Sequence, residues 1–343
     1  MMSTSCYLVT GATGFIGDKL VRSLAREGHE VRALSRRPLP SPRFPANVTV
    51  VQGNLQDRAS LTTAMEGCQG TFHLAGYAKN WARNRAVFDK VNVGGLCNVL
   101  SAARHAGVKR VVWTSTVMTL GPTPAGQVCD ETYDRSGRPC YTDYERSKIR
   151  AEAVARRHVD AGQDIVICNP TRVFGPGLLT EGNSLTRLID DYDQGRAPVV
   201  LNRGRNTGNF VLVDDVVQGH QLAMQHGTSG ERYILGGENI TMAAFFDLVD
   251  EFSGRKHFRL PGRPAGAFVF AYIQLWKALL LGGYPLITTP WIRTFLSEWA
   301  YSSAKAEREL GYHPTPVREA VDLTYKWLLE QRAAAVGQEK ERG

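Results

Sequence analysis

Thr10-Gly11-Ala12-Thr13-Gly14-Phe15-Ile16-Gly17 is the stretch on which the fold turns. It follows a short apolar run at 7–10 and opens a helical pattern at 16–27, which Gly28 closes in the C′ position. Glycines at 11, 14 and 17 permit a tight turn, close approach of the backbone to a diphosphate, and close helix–strand packing. The unpaired N–H groups and positive dipole end of the following helix favour an anion there. A glycine-rich turn alone is weak support for a nucleotide site. Its place at the first strand-to-helix turn of an alternating chain strengthens it.

Outward from this turn, strand patterns recur at 30–34, 48–52, 71–74, 108–114 and 165–169. Helical patterns separate them at 60–66, 85–106 and 142–161. Strands alternating with helices predict an α/β fold with a doubly wound parallel sheet of the Rossmann kind. Beyond residue 170 the pattern is irregular, but 210–213 and 231–235 read as returns to strand, with Asp214-Asp215 capping a helix at 216–224. The expected organisation is a dinucleotide-binding domain over 1–170 with return segments at about 208–240. A smaller, interleaved C-terminal substrate-binding domain covers about 171–207 and 241–330, followed by a flexible tail at 331–343.

Of the 343 residues 43% are hydrophobic, enough for a sizeable core. The six cysteines form no CxxC pair, no histidine cluster has metal-ligand spacing, and scattered thiols of this kind read as reduced. No metal is expected. The net charge of +8 favours anionic ligands, but the basic residues are dispersed and carry no nucleic-acid-binding signature. The N-terminal residues show no signal-peptide pattern, so a cytoplasmic protein is expected.

Two segments carry chemistry. In Tyr144-Glu145-Arg146-Ser147-Lys148 the tyrosine and lysine stand at i and i+4 on one helix face. A phenol with a pKa of about 10 transfers protons poorly at neutral pH, and a neighbouring ammonium lowers it. The same spacing arises by chance on surface helices. In Trp113-Thr114-Ser115-Thr116 the hydroxyls stand at the carboxyl end of the fifth strand, where open parallel sheets bind ligands. A hydroxyl pair can equally do no more than terminate a strand.

Together TGATGFIG, WTST and YERSK, in this order and spacing, resemble the extended short-chain dehydrogenase/reductase superfamily. The likeness extends to Val91-Asn92-Val93-Gly94-Gly95, Asn169-Pro170-Thr171-Arg172-Val173-Phe174-Gly175-Pro176, Val213-Asp214-Asp215 and the segment 303–312. Within it the chain looks most like bacterial dihydroflavonol reductases, 3β-hydroxysteroid dehydrogenases and hopanoid-associated epimerases. The resemblance implies Tyr144 as general acid/base and Lys148 as the residue that holds the nicotinamide ribose and lowers the tyrosine pKa. It implies Thr116 as the catalytic hydroxyl, with Ser115 its competitor. It places the cofactor against Gly11, Thr13, Gly14, Phe15, Ile16, Gly17, Asn54, Leu55, Ala75, Gly76, Asn92, Pro170 and Val173, as well as Tyr144 and Lys148. Asn54 stands where the superfamily usually has Asp.

An NAD-preferring site usually carries an acidic residue after the second strand. Here that strand ends in Ser35-Arg36-Arg37, and two guanidinium groups suit a 2′-phosphate, so NADP is expected over NAD. The leading expectation is an oxidoreductase interconverting a ketone and a secondary alcohol on an apolar small molecule. A sugar or nucleotide-sugar epimerase with retained NAD is the alternative. Against it, Gly208-Asn209-Phe210 lacks the arginine that sugar-diphosphate binders often carry. A non-catalytic NADP-binding sensor or scaffold is a third reading, opposed by the intact Thr116, Tyr144 and Lys148.

The apolar segment 265–281 reads first as a buried helix and cap of the second domain. The alternative, extended over 265–299, is a lid that admits an apolar substrate and touches a membrane surface. The resemblance also implies a homodimer through the helices at 85–106 and 142–161.

Overall fold

The computed structural model describes residues 4–40, 43–196 and 199–342. Seven parallel strands form the main sheet: β1 (Cys6–Thr10), β2 (Glu30–Ser35), β3 (Val48–Gln52), β4 (Gly70–His73), β5 (Arg110–Thr114), β6 (Ile165–Pro170) and, much later, β10 (Arg232–Leu235). Their order across the sheet is β10-β6-β5-β4-β1-β2-β3, so the winding reverses between β1 and β4. Ligands of open α/β sheets bind at that switch point, beyond the strands' carboxyl ends.

Side-chain alternation along these strands feeds two cores. Leu8, Val111 and Ile167 face one side, against α2 (Arg58–Met65), α4 (Gly95–His105) and α5 (Asp143–Asp160). Val9, Val112 and Val166 face the other, against α1 (Phe15–Arg26) and α7 (Val213–His226). Burial on both faces is why the strands are rich in Val and Ile rather than alternating with charge.

A second unit is built around the three-stranded sheet of β7 (Arg172–Phe174), β9 (Thr207–Leu212) and β11 (Glu238–Thr241). A two-stranded pair, β8 (Val199–Leu201) and β12 (Leu260–Gly262), lies beside it. In its core Phe245 stacks on Phe210 and meets Phe174 edge-on, with α6 (Ser184–Asp193), α8 (Met242–Ser253) and α12 (Val317–Arg342) packed around them. The connecting helices are α9 (Pro264–Leu281), α10 (Thr289–Leu296) and α11 (Ala304–Leu310).

Four expectations need correction. The helix predicted at 85–106 is broken into α3 (Ala86–Asp89), a π turn at Lys90–Gly94, and α4. The helix predicted at 216–224 starts three residues earlier, at Val213. No side chain caps it, and Asp215 instead accepts hydrogen bonds from the backbone and hydroxyl of Thr315 at 2.8 Å. The tail at 331–343 continues α12 as helix as far as Arg342. The segment 265–281 is helical but not buried: only Ala271 and Ala278 of α9 are enclosed.

Candidate active site

The β1–α1 turn has no room to spare. Gly11 sits at φ +74°, and a Cβ there would lie 2.7 Å from the Ala75 nitrogen; one on Gly17 would lie 2.1 Å from the Gly11 oxygen. These two glycines let the turn, the helix and the end of β4 meet. Gly14 is different, since a Cβ on it would meet only the Gly11 oxygen, at 3.2 Å. Gly14 caps α1 with no side-chain hydrogen bond, leaving the first-turn N–H groups, from Phe15 and Ile16 onward, for an anion. Thr13 lies exposed beside them. This cradle fits a dinucleotide diphosphate.

Of the remaining cofactor candidates, Ala75 packs against Gly11. Ala75 donates its N–H to Thr10 Oγ1 at 3.2 Å, and Gly76 faces Asn92 Oδ1 and Lys148 Nζ. Asn54 is exposed after β3 and accepts the Gln56 N–H at 3.1 Å, while the Leu55 carbonyl is held by Asn98 at 2.7 Å. Pro170 ends β6 and Val173 sits in β7. Arg36 and Arg37 are exposed just past β2 and have no ion-pair partner among the described residues.

Asn92 explains the π turn. Its amide oxygen accepts from Tyr77 N at 2.7 Å. Its amide nitrogen donates to Tyr77 O at 3.2 Å and to Ser147 Oγ at 2.8 Å. Ser147 in turn donates to the Tyr144 carbonyl at 2.7 Å. The wider turn, a form common at functional sites, brings one buried side chain to both the loop after β4 and the Tyr144 helix.

That helix, α5, is started by Thr142, whose hydroxyl accepts the Glu145 N–H at 3.0 Å. Glu145 is fully buried and accepts from Tyr141 N at 2.8 Å and from Arg135 at 3.0 Å. Arg135 also donates to the carbonyls of Met118 and Thr119, at 3.2 and 3.1 Å. One guanidinium therefore ties the turn after Thr116 to the start of the Tyr144 helix.

Burial pushes the Tyr144 phenol above its ordinary value, and the Thr116 hydroxyl against it works in the opposite direction. The expected depression by Lys148 does not dominate. Its Nζ lies 6.0 Å from the Tyr144 ring centroid, 5.0 Å from that of Trp113, and donates to the Thr114 carbonyl at 2.8 Å. Burial pushes the Lys148 ammonium down to about 8, with Glu152 opposing.

Ser115 and Thr116 part company here. Ser115 donates to Glu152 Oε1 at 2.6 Å, whereas Thr116 lies at Tyr144 and accepts the Met118 N–H at 3.3 Å. Glu152 was not foreseen. It stands at i+8 from Tyr144 and i+4 from Lys148 on the same face of α5, and also accepts from Thr119 at 2.7 Å and Asn169 at 3.0 Å. Two buried histidines were likewise missed. His73 bonds Thr10 at 2.7 Å, and His220 bonds both Thr114 and the Val216 carbonyl at 2.7 Å.

A cavity of about 110 Å³ opens beside Thr116, walled by Met118, Arg172, Asn209, Thr294 and Trp299. Arg172 is stacked between Phe210 and Phe295, its guanidinium carbon 5.6 and 5.1 Å from their centroids. A larger open depression of about 590 Å³, at Arg32, Gln52 and Glu66, contains none of the groups described above.

The sheet order, glycine cradle and Tyr–Lys helix define a nicotinamide-dinucleotide enzyme. Residues 7–236 match the NAD dependent epimerase/dehydratase family, and the chain belongs to that family, the extended short-chain dehydrogenase/reductases. It is 32% identical to sterol demethylase protein B of Methylococcus capsulatus, over 94% of this chain and 98% of the relative. It is also 32% identical to a 3 beta-hydroxysteroid dehydrogenase/Delta 5-->4-isomerase of Mycobacterium tuberculosis, over 90% and 85% of the two chains. Among solved structures, gox2253 superposes with a TM-score of 0.77 at 32% identity, covering 96% of this chain and 99% of that one.

Proposed function

We propose that this enzyme interconverts a ketone and a secondary alcohol on an apolar small molecule, with NADP(H) preferred over NAD(H). The observation that carries the reading is the pairing of Tyr144 with Thr116, which lines a cavity that also holds Val117, Met118 and Trp299, with Lys148 one turn along the same helix. The glycine cradle would hold the diphosphate, Lys148 would face the ribose, Asn92 would order the loop after β4 against the Tyr144 helix, and Arg36 and Arg37 would meet a 2′-phosphate. A bound nicotinamide supplies or accepts the hydride at the substrate carbon.

The chain's own groups manage the oxygen. In reduction Tyr144 donates its phenolic proton to the carbonyl oxygen, while Thr116 donates a hydrogen bond to the same atom. The Lys148 ammonium stabilises the phenolate left behind. Ser115, bonded to Glu152, holds the strand end in place rather than meeting substrate. The two relatives named for sterol and steroid work support an apolar ketone or alcohol.

The test is to unfold the purified protein, identify any nicotinamide released, and titrate NADPH and NADH. Clearly tighter NADPH binding with no retained cofactor supports the proposal. Stoichiometric NAD released only on unfolding would replace it with the epimerase reading.

A further inference from the structure

Helix α9, Pro264–Leu281, is built the wrong way round for a water-facing helix. Its packed side encloses only Ala271 and Ala278, with Ala267, Phe268, Gln274 and Leu275 half-buried beside them. Its outward side carries Val269, Ile273, Trp276 and Leu280 at i, i+4, i+7 and i+11, exposed by 61, 58, 61 and 76%. Phe270, Tyr272 and Leu281 flank this stripe, and Tyr284 and Leu286 extend it, all exposed. A soluble surface rarely leaves so long an apolar row uncovered without a partner. At 18 residues the helix is about 27 Å long.

Along the chain the charge on either side of it is of one sign, and in space the Lys79–Glu181 pair, with Lys79 Nζ 5.5 Å from the Tyr284 ring, lies at its end. No Asp or Glu occurs between Glu251 and Glu298, while Arg255, Lys256, Arg259, Arg263, Lys277 and Arg293 all fall there. Arg255 and Arg259 are engaged by Asp193, Asp247 and Asp250. Lys256, Arg263, Lys277 and Arg293 are exposed and meet no carboxylate among the described residues. An isologous pairing of two copies through this face would set the same unanswered positive charge against itself. An anionic lipid surface answers both features, taking the apolar stripe into its acyl boundary and the cations into its headgroups. Trp276, Tyr272 and Tyr284 suit the interfacial depth between them.

We propose that α9 docks this enzyme on an anionic membrane, lying in the interface rather than crossing it, since its alanine side is held by the protein. The docked helix is joined to the active site from two directions. Tyr284 accepts the Trp81 N–H at 3.1 Å, on the loop that leaves β4 past Gly76. Helix α10, packed on α9, supplies Thr294 to the cavity at Thr116. If the hydride-transfer reading stands, this arrangement suits a substrate carried in lipid.

The experiment is co-sedimentation of the whole protein with phosphatidylcholine vesicles, with and without phosphatidylglycerol, at rising salt. It contains neither cofactor nor ketone, so its outcome does not depend on the hydride-transfer reading. The expected result is sedimentation with the anionic vesicles, roughly tenfold or more weaker binding to neutral ones, and loss as salt rises. The Ile273→Glu/Leu280→Glu double variant, substituted only at exposed positions, should stay in the supernatant with unchanged circular dichroism, melting and light-scattering mass. Wild-type protein that stays in the supernatant throughout, binds neutral vesicles equally well, or pellets no better than the double variant overturns the proposal. A light-scattering mass that falls in the double variant also overturns it, by assigning the face to a second copy.

Discussion

Ser115 Oγ donates to Glu152 Oε1 at 2.6 Å, in a buried cluster where Thr119 and Asn169 donate to the same oxygen. A serine proton held by a buried carboxylate is unavailable to a substrate oxygen. On the proposed reading, adjacent hydroxyls divide the work, Ser115 for the architecture and Thr116 for the chemistry. Thr116→Ala should lower kcat for ketone reduction by about 10²-fold with cofactor affinity unchanged. Ser115→Ala should leave kcat within a few-fold and destabilise the fold by about 1–3 kcal/mol. Steady-state kinetics and urea unfolding of the two variants check this, and the reverse pattern would exchange the assignments.

Arg36 and Arg37 stand exposed at the end of β2, where no carboxylate waits for a ribose hydroxyl. Charge-assisted bonds to a 2′-phosphate are worth about 1.5–3 kcal/mol each. Arg36→Ala or Arg37→Ala alone should weaken NADPH binding by about tenfold to a hundredfold. NADH binding should barely change. Fluorescence titration of both cofactors checks this, and equal losses for both would mean the arginines act on the fold.

His73 and His220 give the fold a pH dependence with a defined sign. Burial pushes their pKa values down to about 3 and 4. In His220, Nδ1–H donates to the Val216 carbonyl, so Nε2 accepts the Thr114 hydroxyl and the ring is neutral. An unfolded histidine titrates near 6.5, so the unfolded chain takes up protons first as the pH falls. The stability each neutral ring secures is complete above about pH 6.5 and is lost towards about pH 3 for His73 and about pH 4 for His220, at up to ~1.4 kcal/mol per pH unit for each ring. His220→Gln should flatten the fall in urea midpoint across that window by one proton's worth. An unchanged slope would show that other groups govern acid unfolding.

What was legible in the sequence was what rests on local spacing. The glycines at 11, 14 and 17, the strand-helix alternation, and Tyr144 one turn before Lys148 are each set within a few residues. Glu152 was not legible, because a carboxylate on a helix of mean polar character reads as a solvated face. Its i+8 relation to Tyr144 is the signal that was there to be used. The π turn at Lys90–Gly94 follows from where Asn92 finds Tyr77 and Ser147, partners that only the folded chain brings near. Helix α9 was misjudged because apolar residues surround it on every side, so periodicity cannot tell which face is packed. Ala271 and Ala278 turned inward, and most of the large side chains turned out.

The central claim is that Tyr144 passes the proton that accompanies hydride transfer. The most direct measurement is turnover of Tyr144→Phe on apolar ketones with NADPH, alongside cofactor binding by the same preparation. A fall in kcat of about 10²–10⁴-fold, with NADPH affinity held within a few-fold, is the result predicted. Turnover close to that of the wild type, with the phenol gone, would contradict it.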